Sequence, residues 1–102
     1  IVPMLSLGAS GVISVLANVA PEATHDMVMN YLEGRTEDAR RAQLAWLDVI
    51  NHLFIEVNPI PVKEALNLMG FAVGGYRAPL YPMTDEHRAA LKAALSAAGL
   101  VK

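Results

Sequence analysis

The sequence contains no cysteine. That excludes disulfides, cysteine-ligated metal and a thiol nucleophile, and it fits a cytoplasmic protein. Charge is scarce as well: charged residues make up 18% of the chain, against about 25% in an average domain. The net charge is −2 and the pI 5.8, so no basic surface draws nucleic acid or anionic lipid. No uninterrupted apolar run is long enough to span a membrane as a helix. The opening "IVPMLSLG" lacks the basic residues and the length of a signal peptide. It also lacks an initiator methionine, so the chain is expected to be truncated or processed.

Apolar residues are abundant, at 54% of 102 residues. A chain of this length suffices for one small domain. That much apolar surface is hard to hide in so small a core. It predicts burial against other chain segments or subunits.

Residues 4–7 read as the last turn of a helix, with Gly8 as its stop. Gly11–Val15 is apolar without alternation, the pattern of a strand buried on both faces of a parallel sheet. Leu16–Ala20 then reads as the loop leaving that strand. Pro21 suits the first turn of a helix that ends before Gly34, and Glu22 favours its dipole. Thr36, Glu37 and Asp38 open the longest helix, which runs to about Phe54. Its core-facing stripe is expected to be Leu44, Leu47, Ile50 and Phe54, widened by Trp46, Val49 and Leu53. "NPIP" imposes an extended entry to a helix over Val62–Met69, closed by Gly70. Phe71–Pro82 has no periodicity. Thr84 caps a final helix with apolar positions Ala90, Leu91, Ala94, Leu95 and Ala98. No internal repeat or linker separates these pieces.

One buried strand followed by helices is not self-sufficient, because a lone strand leaves its backbone unpaired. Its parallel neighbours must lie outside these residues. Three stretches, "GASGVISVLANVAPE", "FIEVNPIPVKEALNLMG" and "YRAPLYPMTDEHRAALKAALSAAGL", closely resemble the C-terminal third of the dihydrodipicolinate synthase family, over essentially the whole chain. The resemblance implies an α/β fold: the C-terminal part of a (β/α)8 TIM barrel plus a three-helix domain, the segment itself being mostly α. Residues 1–34 would end the barrel, with strand eight at about 11–15 and helix eight at about 21–33. Residues 35–102 would be the helical domain.

The resemblance also implies an activity. Family members condense pyruvate with aspartate semialdehyde on the route to diaminopimelate and lysine. A lysine on the sixth strand forms a Schiff base with pyruvate, and a tyrosine triad relays protons. Those residues all precede the matched stretch, so no catalytic residue falls in this segment, and the segment alone is expected to be inactive. Residues that bind feedback-inhibiting lysine likewise lie upstream. Members are commonly homotetramers, so a homo-oligomer is expected, with no nucleic-acid or membrane partner and no cofactor. Two alternatives stay open. One is a related pyruvate-dependent aldolase such as sialic-acid lyase. The other is a non-catalytic, self-associating helical module.

Ile13 is the substrate-binding candidate: it matches the family position whose backbone contacts pyruvate at the end of strand eight, the end at which barrel active sites lie. As a side chain it reads equally as one more barrel-filling aliphatic. Asn18 is expected to cap the turn before Pro21. Lys63, in "PVKEA", mimics the context of a Schiff-base lysine. It follows two prolines in the helical domain, so it is expected to be structural. His25, His52 and His87 fall on three different helices without ligand spacing, so no metal site is expected. Glu56 and Asn58 read as ties for an irregular loop, and Arg77 as a structural hydrogen-bonding residue. Arg35, Arg40 and Arg41 among Glu33, Glu37 and Asp38 read as a solvated, ion-paired face.

Overall fold

A computed structural model describes all residues 1–102. The chain forms six helices and no strand: α1 (Val2–Ser6), α2 (Leu16–Val19), α3 (Pro21–Leu32), α4 (Thr36–His52), α5 (Ile60–Leu68) and α6 (Asp85–Ala97). None is long and apolar enough to cross a membrane. The chain divides into two compact units, Ile1–Leu47 and Asp48–Lys102.

In the first unit α3 packs against both α1 and α2. Leu5, Leu16, Val19, Met27 and Ala39 are buried. Thr24 is buried too, and its hydroxyl donates to the Ala20 carbonyl at 2.9 Å, one turn back. Pro21 stands in the first turn of α3, where its missing N–H leaves no bond unmade. The helix stops at Gly34, whose φ of +86° a side chain would oppose. That geometry turns the chain so that Gly34 and Arg35 N–H groups cap the carbonyls of Tyr31 and Asn30.

The expected strand at Gly11–Val15 does not form within the chain. Residues 9–14 are irregular, and Val15 has helical backbone, φ −58° and ψ −37°, at the start of α2. A strand is defined by ladder bonds to a neighbour. No hydrogen bond reaches the backbone of residues 10–13 from within the chain. The loop expected over Leu16–Ala20 is instead α2, anchored by buried Leu16 and Val19.

In the second unit α5 packs on α6. Ile60, Pro61, Val62, Ala65, Leu91, Ala94 and Leu95 are buried, with Val49, Leu53 and Met83. Helix α5 starts two residues earlier than expected, because Pro61 is tolerated in its first turn. Helix α6 ends at Gly99, φ +78°, where Leu100 N–H bonds the Leu95 carbonyl at 2.9 Å. Its N-cap is Thr84, whose Oγ1 accepts from His87 N–H at 3.3 Å. Thr84→Ala is expected to cost about 1 kcal/mol, measured as a shift in the urea midpoint.

The buried face of α4 differs from the expected stripe. Leu44 is 59% exposed, and Leu47 and Phe54 are exposed too. Ala39 and Val49 are fully buried, with Ala42, Gln43, Trp46 and Ile50 half-buried. These positions recur at helical spacing and continue to buried Leu53 just past the helix. The small residues Ala39 and Ala42 lie on this face, whereas the long apolar side chains suggested a stripe rotated from it. The α4 termination at His52 falls two residues short of Phe54.

Candidate functional site

The segment holding Ile13 is short of local partners. Its side chain is fully exposed, at 106% of the reference value. The next residues are tied down: Ser14 Oγ accepts from Leu16 N–H at 3.2 Å, and Asn18 Nδ2 donates to the Val15 carbonyl at 3.1 Å. Asn18 thus holds its own turn, as expected. Beside this turn lies an open cavity of about 320 Å³ lined by Gly11, Val12, Ala17, Pro21, Thr24 and His25, among others. What residues 10–13 offer is unpaired main chain, leading into the hydrogen-bonded start of α2. Main-chain N–H and C=O groups of that kind either join a sheet or bind a polar ligand.

The polar groups of the second unit converge on α5. Glu64 accepts from Tyr76 Oη at 3.0 Å and from Arg88 Nε at 2.5 Å. Its side chain is largely buried, whereas Arg88 is half exposed. Burial, and then the Glu64 carboxylate on its hydroxyl, push the Tyr76 phenol up to about 12. Glu56, also largely buried, accepts from Thr84 N–H at 3.3 Å and lies 3.7 Å from His87 Nδ1, a buried nitrogen with no hydrogen bond. Glu56 therefore ties the loop to the start of α6, as expected of it.

Lys63 donates to the Gly75 carbonyl, and its ammonium stands 5.4 Å from the centroid of the Tyr76 ring. Both contacts hold the loop after α5, which fits its structural reading. Arg77 departs from expectation: its guanidinium makes no hydrogen bond within the chain, because it lies exposed on that loop. His25 faces Asp26 and His52 faces Asp48, so the three histidines do not meet, and no three metal-ligating side chains cluster. The arginine-rich face behaves as expected, with Arg35 on Glu33 at 2.5 Å and Arg40 on Glu37 at 2.8 Å.

The Glu64–Tyr76–Arg88 cluster has no counterpart in sequence patterning. Its members lie 12 or more residues apart on α5, a loop and α6. The one available signal was an acid sitting between buried Val62 and Ala65.

A family model described as the dihydrodipicolinate synthetase family matches residues 1–98. The chain belongs to that family. A 4-hydroxy-tetrahydrodipicolinate synthase of Caldicellulosiruptor bescii is 60% identical over 95 residues, 93% of this chain and 32% of the relative. Among solved structures, dihydrodipicolinate synthase from Thermotoga maritima superposes with a TM-score of 0.95 at 39% identity, over 98% of this chain and 34% of that one. A chloride-inhibited dihydrodipicolinate synthase from Acinetobacter baumannii, complexed with pyruvate, gives 0.92 at 38% identity over 98% and 34%. The chain thus spans about a third of the length of the curated relatives it matches. It carries the C-terminal part of the dihydrodipicolinate synthase fold, and that part is helical.

The Tyr76 environment yields a prediction for this family member. Its proton is held more tightly in the folded chain (about 12) than in the unfolded one, about 10. Folding stability from this group is therefore fully present below about pH 10 and is lost as pH rises through about 12. Tyr76 is expected to ionise at about 12 in an ultraviolet titration. Glu64→Gln removes the charge and moves it back toward 10; an unmoved titration contradicts the cluster.

Proposed function

We propose that these residues form the C-terminal third of a lyase that condenses pyruvate with aspartate semialdehyde, in lysine and diaminopimelate biosynthesis in the cytoplasm. The 60% identity to a 4-hydroxy-tetrahydrodipicolinate synthase carries this reading. In it, residues 1–34 complete a (β/α)8 barrel and residues 35–102 form its helical appendage. Residues 11–13 pair with strands encoded upstream, which accounts for their unbonded backbone.

The chemistry begins on a lysine upstream of Ile1. Its neutral amine adds to C2 of pyruvate and water leaves, giving an iminium. Loss of a C3 proton gives the enamine, whose carbon attacks the aldehyde. The role of this segment is positional. Ile13 meets pyruvate through its main chain, which leaves its side chain outside the contact. Lys63 takes no part, since its ammonium is bound to the Gly75 carbonyl. The segment alone is inactive.

The whole protein works as a homo-oligomer, a tetramer in this reading. Exposed Met4, Leu7, Leu44, Leu47 and Phe71 support further burial on assembly. The test is a steady-state assay of the full-length protein with pyruvate and aspartate semialdehyde. Turnover is expected. Aldol cleavage of sialic acid with no semialdehyde turnover would move the protein to the related aldolases. Inactivity on both would leave the helical-module reading.

A further inference from the structure

A groove of about 590 Å³ opens in the second unit between the start of α5 and the loop that follows it. Pro59, Val73 and Leu80 give it an apolar wall; Lys63, Tyr76 and Arg77 give it a polar one. Within these residues no acid lies within ion-pairing distance of either cation in that wall. The neighbouring acid on α5, Glu64, is already engaged by Arg88 and Tyr76. The groove is therefore locally positive in a chain whose net charge is −2.

The donors are also free, and the ammonium of Lys63 is positioned. One N–H of the Lys63 ammonium goes to the Gly75 carbonyl, which with the Tyr76 ring fixes the head at the groove and leaves two donors. The Arg77 guanidinium offers its whole planar fork, a match for a carboxylate in two parallel hydrogen bonds. Inorganic anions would use the charge and leave the apolar wall bare. A neutral ligand would use the wall and leave two cations unpaired. We propose that this groove binds a small organic carboxylate with an apolar body, its oxygens on Arg77 and Lys63 and its hydrocarbon against Pro59, Val73 and Leu80. The proposal does not rest on the lyase reading.

Calorimetric titration of the full-length protein with benzoate tests it, with benzamide and inorganic phosphate as probes of each half of the design. Benzoate is expected to bind, and benzamide and phosphate to bind about tenfold more weakly or worse, the loss of a charged hydrogen bond or of the apolar contact. Arg77→Gln is expected to weaken benzoate about tenfold or more, and Arg77→Lys to recover part of it. Val73→Glu, which keeps both cations and sets a carboxylate on the wall, is expected to abolish binding. Phosphate binding as tightly as benzoate would overturn the ligand class. Benzoate affinity unchanged in both Arg77→Gln and Val73→Glu, or no benzoate binding at all, would overturn the site.

Discussion

Leu53→Ala is expected to destabilise the protein by about 2–5 kcal/mol, whereas Leu44→Ala changes stability by less than about 0.5 kcal/mol. Leu53 is 0% exposed and Leu44 is 59% exposed, although both are leucines of one apolar stretch. Truncating the buried one loses its transfer energy and leaves a cavity that close-packed neighbours fill only in part. Truncating the exposed one removes atoms that already touch water. Urea unfolding of the 102-residue chain followed by circular dichroism reads both. Equal costs would mean that the α4 face is turned as its long side chains first suggested.

Leu16→Ala is expected to cost a similar about 2–5 kcal/mol, with Ile13→Ala near zero. The two residues are three apart. Leu16 is 1% exposed because α2 turns it into the first unit, whereas Ile13 projects wholly into solvent. Were Leu16–Ala20 the open loop expected from the sequence, Leu16 would be dispensable. If the proposed lyase reading holds, the same pair has a functional arm in the full-length protein. On the proposed reading the contact to pyruvate is through the backbone and survives Ile13→Ala, so KM for pyruvate is expected to stay within about twofold, since no substrate hydrogen bond is lost. A large KM rise would place the side chain in the contact.

Both predictions fall where sequence patterning failed; elsewhere it succeeded. Helix ends were readable wherever one residue decides the local geometry: Pro21, Gly34, Thr84 and Gly99 each fall where a proline, a positive φ or a side-chain cap is required. The buried positions of α6 followed from spacing, because Leu91, Ala94 and Leu95 repeat on one face. The α4 face did not follow, because alanines at 39 and 42 pack inward without announcing themselves by size. The strand at Gly11–Val15 was apolar enough for a sheet, yet a ladder needs a second strand, and within these residues there is none. The pairing of Glu64 with Tyr76 and Arg88 is long-range, so no local rule encodes it. The family wording of three stretches, "NPIPVKEAL" among them, implied what the physics of single residues does not: a parent fold and an expected reaction.

In the proposed reading, covalent pyruvate chemistry belongs to the longer protein and to none of these residues. Borohydride reduction in the presence of pyruvate, read by intact mass and peptide mapping, tests it on the full-length chain and on residues 1–102 side by side. The expected result is one reduced pyruvyl adduct on a lysine upstream of Ile1 and none on Lys63, Lys92 or Lys102. An adduct on Lys63, or a full-length protein that traps no pyruvate, would contradict it.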